Sequence, residues 1–85
     1  MKFEDLKFEE TSDPAGIKVR VMFDNGFGAS IIKNRISYGN FEGLYEIAVL
    51  DSSGNLCYDT PITDDVIGYC DEEKINKILK QIESL

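Results

Sequence analysis

A chain of 85 residues with sixteen acidic and nine basic side chains carries a formal net charge of −7, and it contains neither histidine nor tryptophan. That length supports one domain with a small core and marginal stability. Without histidine the usual Ser-His and Cys-His nucleophile arrangements cannot form, and the negative balance opposes direct binding of nucleic acid.

Residues 3–9 carry a weak apolar pattern, Phe3, Leu6 and Phe8, which suits a short first strand or a frayed helical turn. The cluster Thr11-Ser12-Asp13-Pro14-Ala15-Gly16 reads as a turn, with proline fixing φ and glycine permitting an unusual one. Over residues 17–23, Ile17, Val19, Val21 and Phe23 alternate with Lys18, Arg20 and Met22, the period-two mark of a half-buried strand. Asn25-Gly26 follows, a hairpin signal because both positions accept φ > 0. The returning strand covers about residues 27–33, so residues 17–33 should form an antiparallel hairpin.

Residues 34–43 are irregular, with Gly39 and Gly43 bracketing a loop. Residues 44–50 make a third strand, placing Tyr45, Ile47 and Val49 on one face and Leu44, Glu46, Ala48 and Leu50 on the other. Asp51-Ser52-Ser53-Gly54-Asn55 is a second turn leading into Leu56-Cys57-Tyr58, and Thr60-Pro61 ends that strand because proline cannot donate to a ladder. Thr63-Asp64-Asp65-Val66 suggests a single helical turn capped by Thr63 and stopped by Gly68. The spacing of Ile75, Ile78, Leu79, Ile82 and Leu85 predicts an amphipathic helix over 71–85. Asp71 is its cap, Glu72 and Glu73 lie in its first turn, and Lys74, Lys77 and Lys80 lie off the stripe. The predicted class is α+β: a four- to five-stranded antiparallel meander with a C-terminal helix on one face, in one domain over 1–85.

Charge is distributed unevenly. Residues 36–73 hold nine acids and no base, whereas the other 47 residues hold seven acids and nine bases. Five of the nine, Asp64, Asp65, Asp71, Glu72 and Glu73, fall where helix starts favour negative charge. Glu42, Glu46, Asp51 and Asp59 have no such reason, though Asp51 suits its turn.

Candidate chemistry is sparse. Asp64-Asp65 is an adjacent carboxylate pair, but so weak a motif is better accounted for as charge at a helix N-terminus. Two cysteines, Cys57 and Cys70, lie outside any Cys-x-x-Cys spacing, so no zinc site is expected and both are read as reduced thiols. The 51–55 turn lacks the ligand spacing of an EF-hand, and Gly26-Phe27-Gly28 lacks the rest of any phosphate loop. We expect no enzyme activity and no cofactor. No run is long and apolar enough for a membrane, and the first residues lack the apolar stretch of a signal peptide, so a cytoplasmic location is expected.

Three stretches carry a resemblance: Phe23-Asp24-Asn25-Gly26-Phe27-Gly28-Ala29-Ser30-Ile31, Gly43-Leu44-Tyr45-Glu46-Ile47-Ala48-Val49-Leu50-Asp51, and Tyr58-Asp59-Thr60-Pro61-Ile62-Thr63-Asp64-Asp65-Val66-Ile67-Gly68-Tyr69. Together with the closing acidic helix they make residues 21–85 resemble small proteins of tailed bacteriophages and prophages, a family without an assigned activity. The resemblance implies a phage origin and a host-cell cytoplasm, and supplies no catalytic residues.

The resulting expectation is an interaction protein that inhibits or modulates a host protein with a basic, nucleic-acid-binding surface, such as a CRISPR effector. Glu42, Glu46, Asp59, Asp64 and Asp65 would supply charge, with Tyr38 and Tyr58 as aromatic anchors. The alternative is a homodimeric binder of a nucleotide signal, using Lys18, Arg20, Lys33 and Arg35.

Overall fold

The computed structural model describes residues 1–12, 15–63 and 65–85. Five strands, β1 (Glu9–Ser12), β2 (Ala15–Met22), β3 (Gly28–Asn34), β4 (Tyr45–Leu50) and β5 (Ile67–Cys70), form one antiparallel sheet in chain order, followed by helix α1 (Glu72–Glu83). This is the expected α+β meander. The alternation along β2 and β4 sends Val19, Ile47 and Val49 to one face, where Ala29, Ile31 and Cys70 join Ile75, Ile78, Leu79 and Ile82 of α1 in the core. Each of the valine, isoleucine and leucine side chains contributes about 1.5–3 kcal/mol on burial.

Helix α1 starts where Asp71 accepts a hydrogen bond from the Lys74 N–H at 2.8 Å, with Glu72 and Glu73 at the positive end of the helix dipole. Its far end is tied by a distant residue. Asn25 Nδ2 donates to the carbonyls of Ile82 (2.8 Å) and Leu85 (3.3 Å), satisfying groups that a helix leaves unpaired at its C-terminus. That use of Asn25 refines the hairpin. The loop has three residues, Asp24–Asn25–Gly26, closed by the Phe23 N–H to Phe27 carbonyl bond at 2.7 Å. Only Gly26 has positive φ, at 86°. Asn25 keeps an ordinary backbone and spends its amide on the helix.

Three expectations are corrected. Thr11 and Ser12 lie in β1, paired with Gly16 and Ala15, so the ladder extends into the segment read as a turn; its centre, Asp13 and Pro14, lies outside the described residues. Upstream, residues 3–5 form a 3₁₀ turn, anchored by the Phe3 N–H to Asn76 Oδ1 at 2.6 Å.

Residues 56–58 do not form a strand. Leu56 makes a single bridge to Leu50, and the Cys57 N–H donates to the Val49 carbonyl at 2.8 Å. Thr63, Asp65 and Val66 are not helical. Thr63 Oγ1 accepts from the Asp65 N–H (3.1 Å) and donates to the Asp65 carbonyl (2.8 Å), a side-chain turn that competes with helix. The apolar residues after it then pair with β4 and bury Cys70, which a solvent-facing helical turn would not do. Asp64 lies outside the described residues.

Candidate protein-binding surface

A meander turns sequence order into spatial order. Because the strands lie side by side in chain order, the acidic 36–73 stretch becomes the β4–β5 side of the sheet and its connections. Lys18, Arg20 and Lys33 occupy β2 and β3.

The connection from β3 to β4 is pinned by short polar bonds. The Asn34 N–H donates to Ser37 Oγ at 2.9 Å, and the Ile36 N–H donates to Asn34 Oδ1 at 3.0 Å. Glu46 Oε2, on the sheet face away from α1, accepts the Tyr38 N–H at 2.9 Å. This turn chemistry leaves the apolar side chains outside: Ile36 is 77% exposed, Tyr38 61% and Phe41 95%.

Opposite Glu46 the sheet bulges. Tyr45 pairs with Cys70 and Ile47 with Ile67, so Gly68 and Tyr69 face Glu46 alone. Tyr38 packs directly on Gly68: a Cβ there would stand 2.4 Å from the Tyr38 Cβ. Tyr69 has φ of 57°, the one positive value among the described residues other than glycine, and its N–H donates to the Tyr38 carbonyl at 3.2 Å. An aromatic residue in this left-handed region costs of order 1–3 kcal/mol. Its ring recovers nothing from the core, being 56% exposed. Such outliers persist where the surroundings over-determine them, and they cluster at functional surfaces.

The anticipated site residues therefore divide. Tyr38 and Glu46 are hydrogen-bonded partners, and Glu42 is exposed on the same connection. Tyr58 and Asp59 are exposed near the other end of β4, beyond the Cys57–Val49 bond. From residue 46 to residue 49 a strand advances about 10 Å. Asp65 is exposed just before β5, where its Oδ1 accepts the Val66 N–H at 2.7 Å. Tyr69 is bonded through its N–H to the Tyr38 carbonyl and Phe41 stands exposed on the same connection as Tyr38; neither was among the anticipated anchors. A lone glycine inside an apolar strand, Gly68, was the available sign of a bulge.

Local roles account for two of the acids that the helix starts did not. Glu46 holds the Tyr38 backbone. Asp51 Oδ1 accepts the N–H groups of Ser53 (2.9 Å) and Asn55 (3.0 Å), which closes the turn after β4.

The basic residues proposed for a nucleotide do not converge. Lys18 and Arg20 project from the sheet face away from α1, where Arg20 Nη1 donates to the Gly54 carbonyl at 3.0 Å. Lys33 lies on the other face, its Nζ 5.6 Å from the centre of the Tyr45 ring. That ring completes a cluster with Phe3 and Phe8, at 5.2 and 5.5 Å. Burial, and then the Glu72 carboxylate, raise the Tyr45 phenol above its ordinary value.

Cys57 and Cys70 are both free thiols. Cys70 is raised chiefly by burial, with Lys74 opposing and Asp71 and Glu46 reinforcing. That direction favours the inert thiol over the nucleophilic thiolate. Among the described residues no group of three His, Cys, Asp or Glu could hold a metal ion, and no helix is long and apolar enough to cross a membrane. No protein-family model matches this chain, and neither a curated protein nor a solved structure is similar to it.

Proposed function

We propose that this chain is a small interaction protein that docks its acidic, aromatic-bearing β4–β5 side on a basic surface of another protein. The observation that carries this reading is Tyr69. It is held at a costly backbone angle with its ring exposed, its N–H bonded to the carbonyl of Tyr38, whose ring is also exposed, as is that of Phe41 on the same connection. Exposed tyrosine supplies contact area at low entropic cost and is enriched at binding hot spots.

Glu42 lies on the same connection as Tyr38, Asp65 stands just before β5 and Asp59 near the other end of β4, all in a stretch of 38 residues without lysine or arginine. Asp64 belongs to the same stretch. Such a surface favours lysine- and arginine-rich partners and repels nucleic acid. Partners of that kind include host proteins that hold nucleic acid in basic grooves. A phage inhibitor of host defence, acting in the host-cell cytoplasm, is the setting the resemblance implies. Glu46 acts in this scheme by positioning Tyr38.

The test is affinity capture from bacterial lysate at low and high salt. The native chain is compared with Tyr38→Ala/Tyr69→Ala and with a charge-reversed variant at Glu42, Asp59 and Asp65. The expected outcome is a basic, nucleic-acid-binding protein retained at low salt, released at high salt, and lost with either variant. Retention that ignores both salt and charge reversal would sink the reading.

A further inference from the structure

Helix α1 presents to solvent the opposite sign of charge from the stretch that precedes it. Lys74, Lys77 and Lys80 stand exposed at three-residue intervals, running obliquely along the helix over about 9 Å. Among the described residues none of the three takes part in an ion pair. Lys80 has a local reason to be there, since the last turn of a helix favours a cation. Lys74 has none, because it lies in the first turn, where the dipole disfavours one.

A groove lies beside these lysines. Two concavities of about 640 and 550 Å³ flank α1 where it meets β5 and the β4–β5 connection, and they share Lys77 and Gln81. The first sets Ile67 of β5 against Lys74 and Lys77. The second sets Pro61 and Ile62 of the connection against Lys77 and Lys80. The groove thus has two unlike walls: α1 brings the cations, whereas β5 and the connection bring only apolar side chains. The acids that line it among the described residues, Asp71 and Glu73, lie at one end, and Asp71 is already engaged by the Lys74 N–H.

We propose that this groove takes an extended acidic segment of a partner protein, one in which carboxylates alternate with apolar side chains. Successive residues of an extended chain point to opposite sides. One set then meets the lysine wall, and the other meets Pro61, Ile62 and Ile67. Alternate carboxylates stand about 6.8 Å apart, so two of them fit within the span of the three lysines. Nucleic acid would match the lysines too, but the net charge of −7 acts against its whole length. A short segment meets chiefly the charge within a Debye length, about 8 Å at physiological salt.

The proposal does not rest on the docking surface described above, and its test needs only the purified chain. Fluorescence anisotropy with a labelled peptide of alternating glutamate and leucine should show saturable binding that weakens as salt is raised. Lys74→Glu/Lys77→Glu should weaken it ~10-fold or more, because it sets like charges opposite one another. Lys74→Glu also places an acid where the helix dipole favours it, so the loss is not one of folding; circular dichroism checks this. A peptide of the same charge with serine in place of leucine should bind ~10-fold more weakly, since it leaves the apolar wall uncovered. Grouping the glutamates and leucines into two blocks should weaken binding as well.

Absence of saturable binding by the alternating peptide up to about 1 mM overturns the proposal. So does equal binding of the serine or block peptides, which would reduce the groove to a patch of lysines. Tighter binding to phosphatidylserine vesicles than to the peptide would overturn it by assigning the lysines to an anionic lipid surface. Peptide binding and capture of a basic partner are measured separately, so either reading can fail while the other stands.

Discussion

The two faces of the sheet share one backbone and differ in almost everything else. Towards α1 the residues are mostly apolar, and Ala29, Ile31, Ile47 and Cys70 are almost wholly inaccessible. Away from α1, at the alternate positions of the same strands, stand Lys18, Arg20, Ser30, Ile32, Glu46 and Ala48. The apolar face against α1 makes up most of the core. On the second face Ala48 and Leu50 of β4 are also buried, whereas Lys18, Arg20 and Met22 of β2 are exposed. At the bulge opposite Glu46 the chain goes further and carries a strained tyrosine that the core does not require. Along β2 a single residue step separates side chains that serve the core from side chains in solvent, whereas along β4 both faces are buried.

The contrast should appear first as stability. Leu79→Ala, in the covered core, should cost about 2–5 kcal/mol, whereas Ile32→Ala on the face away from α1 should cost less than about 2 kcal/mol. Denaturant midpoints for the two variants measure this directly, and equal losses would mean that Ile32 is packed as closely as the core residues. Next come the two ties at the helix ends. Asp71→Ala and Asn25→Ala should each cost about 1 kcal/mol in the same assay. A larger loss at Asn25 would show that its amide holds the hairpin and the helix together beyond the bonds to two carbonyls.

Tyr69→Gly should lie near zero, within about 1 kcal/mol of the native chain, because relief of the left-handed strain offsets the entropy of the added glycine. Its capture of a basic partner should nevertheless fall. A loss of more than about 2 kcal/mol would instead assign the Tyr69 ring to the core side of the comparison.

The smallest effect is on pH dependence. Cys70 is raised in the folded state, so above the ordinary thiol value of about 8.5 the unfolded chain releases a proton that the folded chain retains. Stability should therefore decline as the pH climbs through that value towards the folded one, and the decline should flatten in Cys70→Ala. Thermal midpoints at neutral and mildly alkaline pH would reveal it.

What could be read from the sequence follows the range of the interactions involved. Local periodicity specified the first hairpin, β4 and α1, because alternation and helical stripes need only neighbouring residues. The refinement at Asn25 was out of reach, since its partners are 57 and 60 residues away. β1 was obscured because residues that suit a turn can also extend a ladder when β2 lies beside them. β5 was not foreseen, and the residues before it were read as a helical turn, the Thr63 side chain being able to cap a helix or close a tighter turn; only pairing with β4 decides between them. Tyr38 and Glu46 were anticipated separately, while their hydrogen bond, the Gly68 contact and the Tyr69 conformation depend on the β3–β4 connection reaching the bulge. Exposure of Phe41 follows from the same non-local arrangement.

The bonds from Asn25 to the end of α1 also bear on how the chain acquires its structure. Every strand pairing in the meander joins sequence neighbours, so each closes a short loop at small entropic cost. Helix α1 alone must return across the whole sheet to reach the first hairpin. Growth from β1 to β5 can thus proceed stepwise, while burial of the apolar face waits for one late docking event. Until then the nascent sheet displays a flat aliphatic surface, the species most prone to aggregate. A chain terminated at Asp71 should accordingly be recovered as insoluble material, and α1 supplied as a separate peptide during refolding should rescue it.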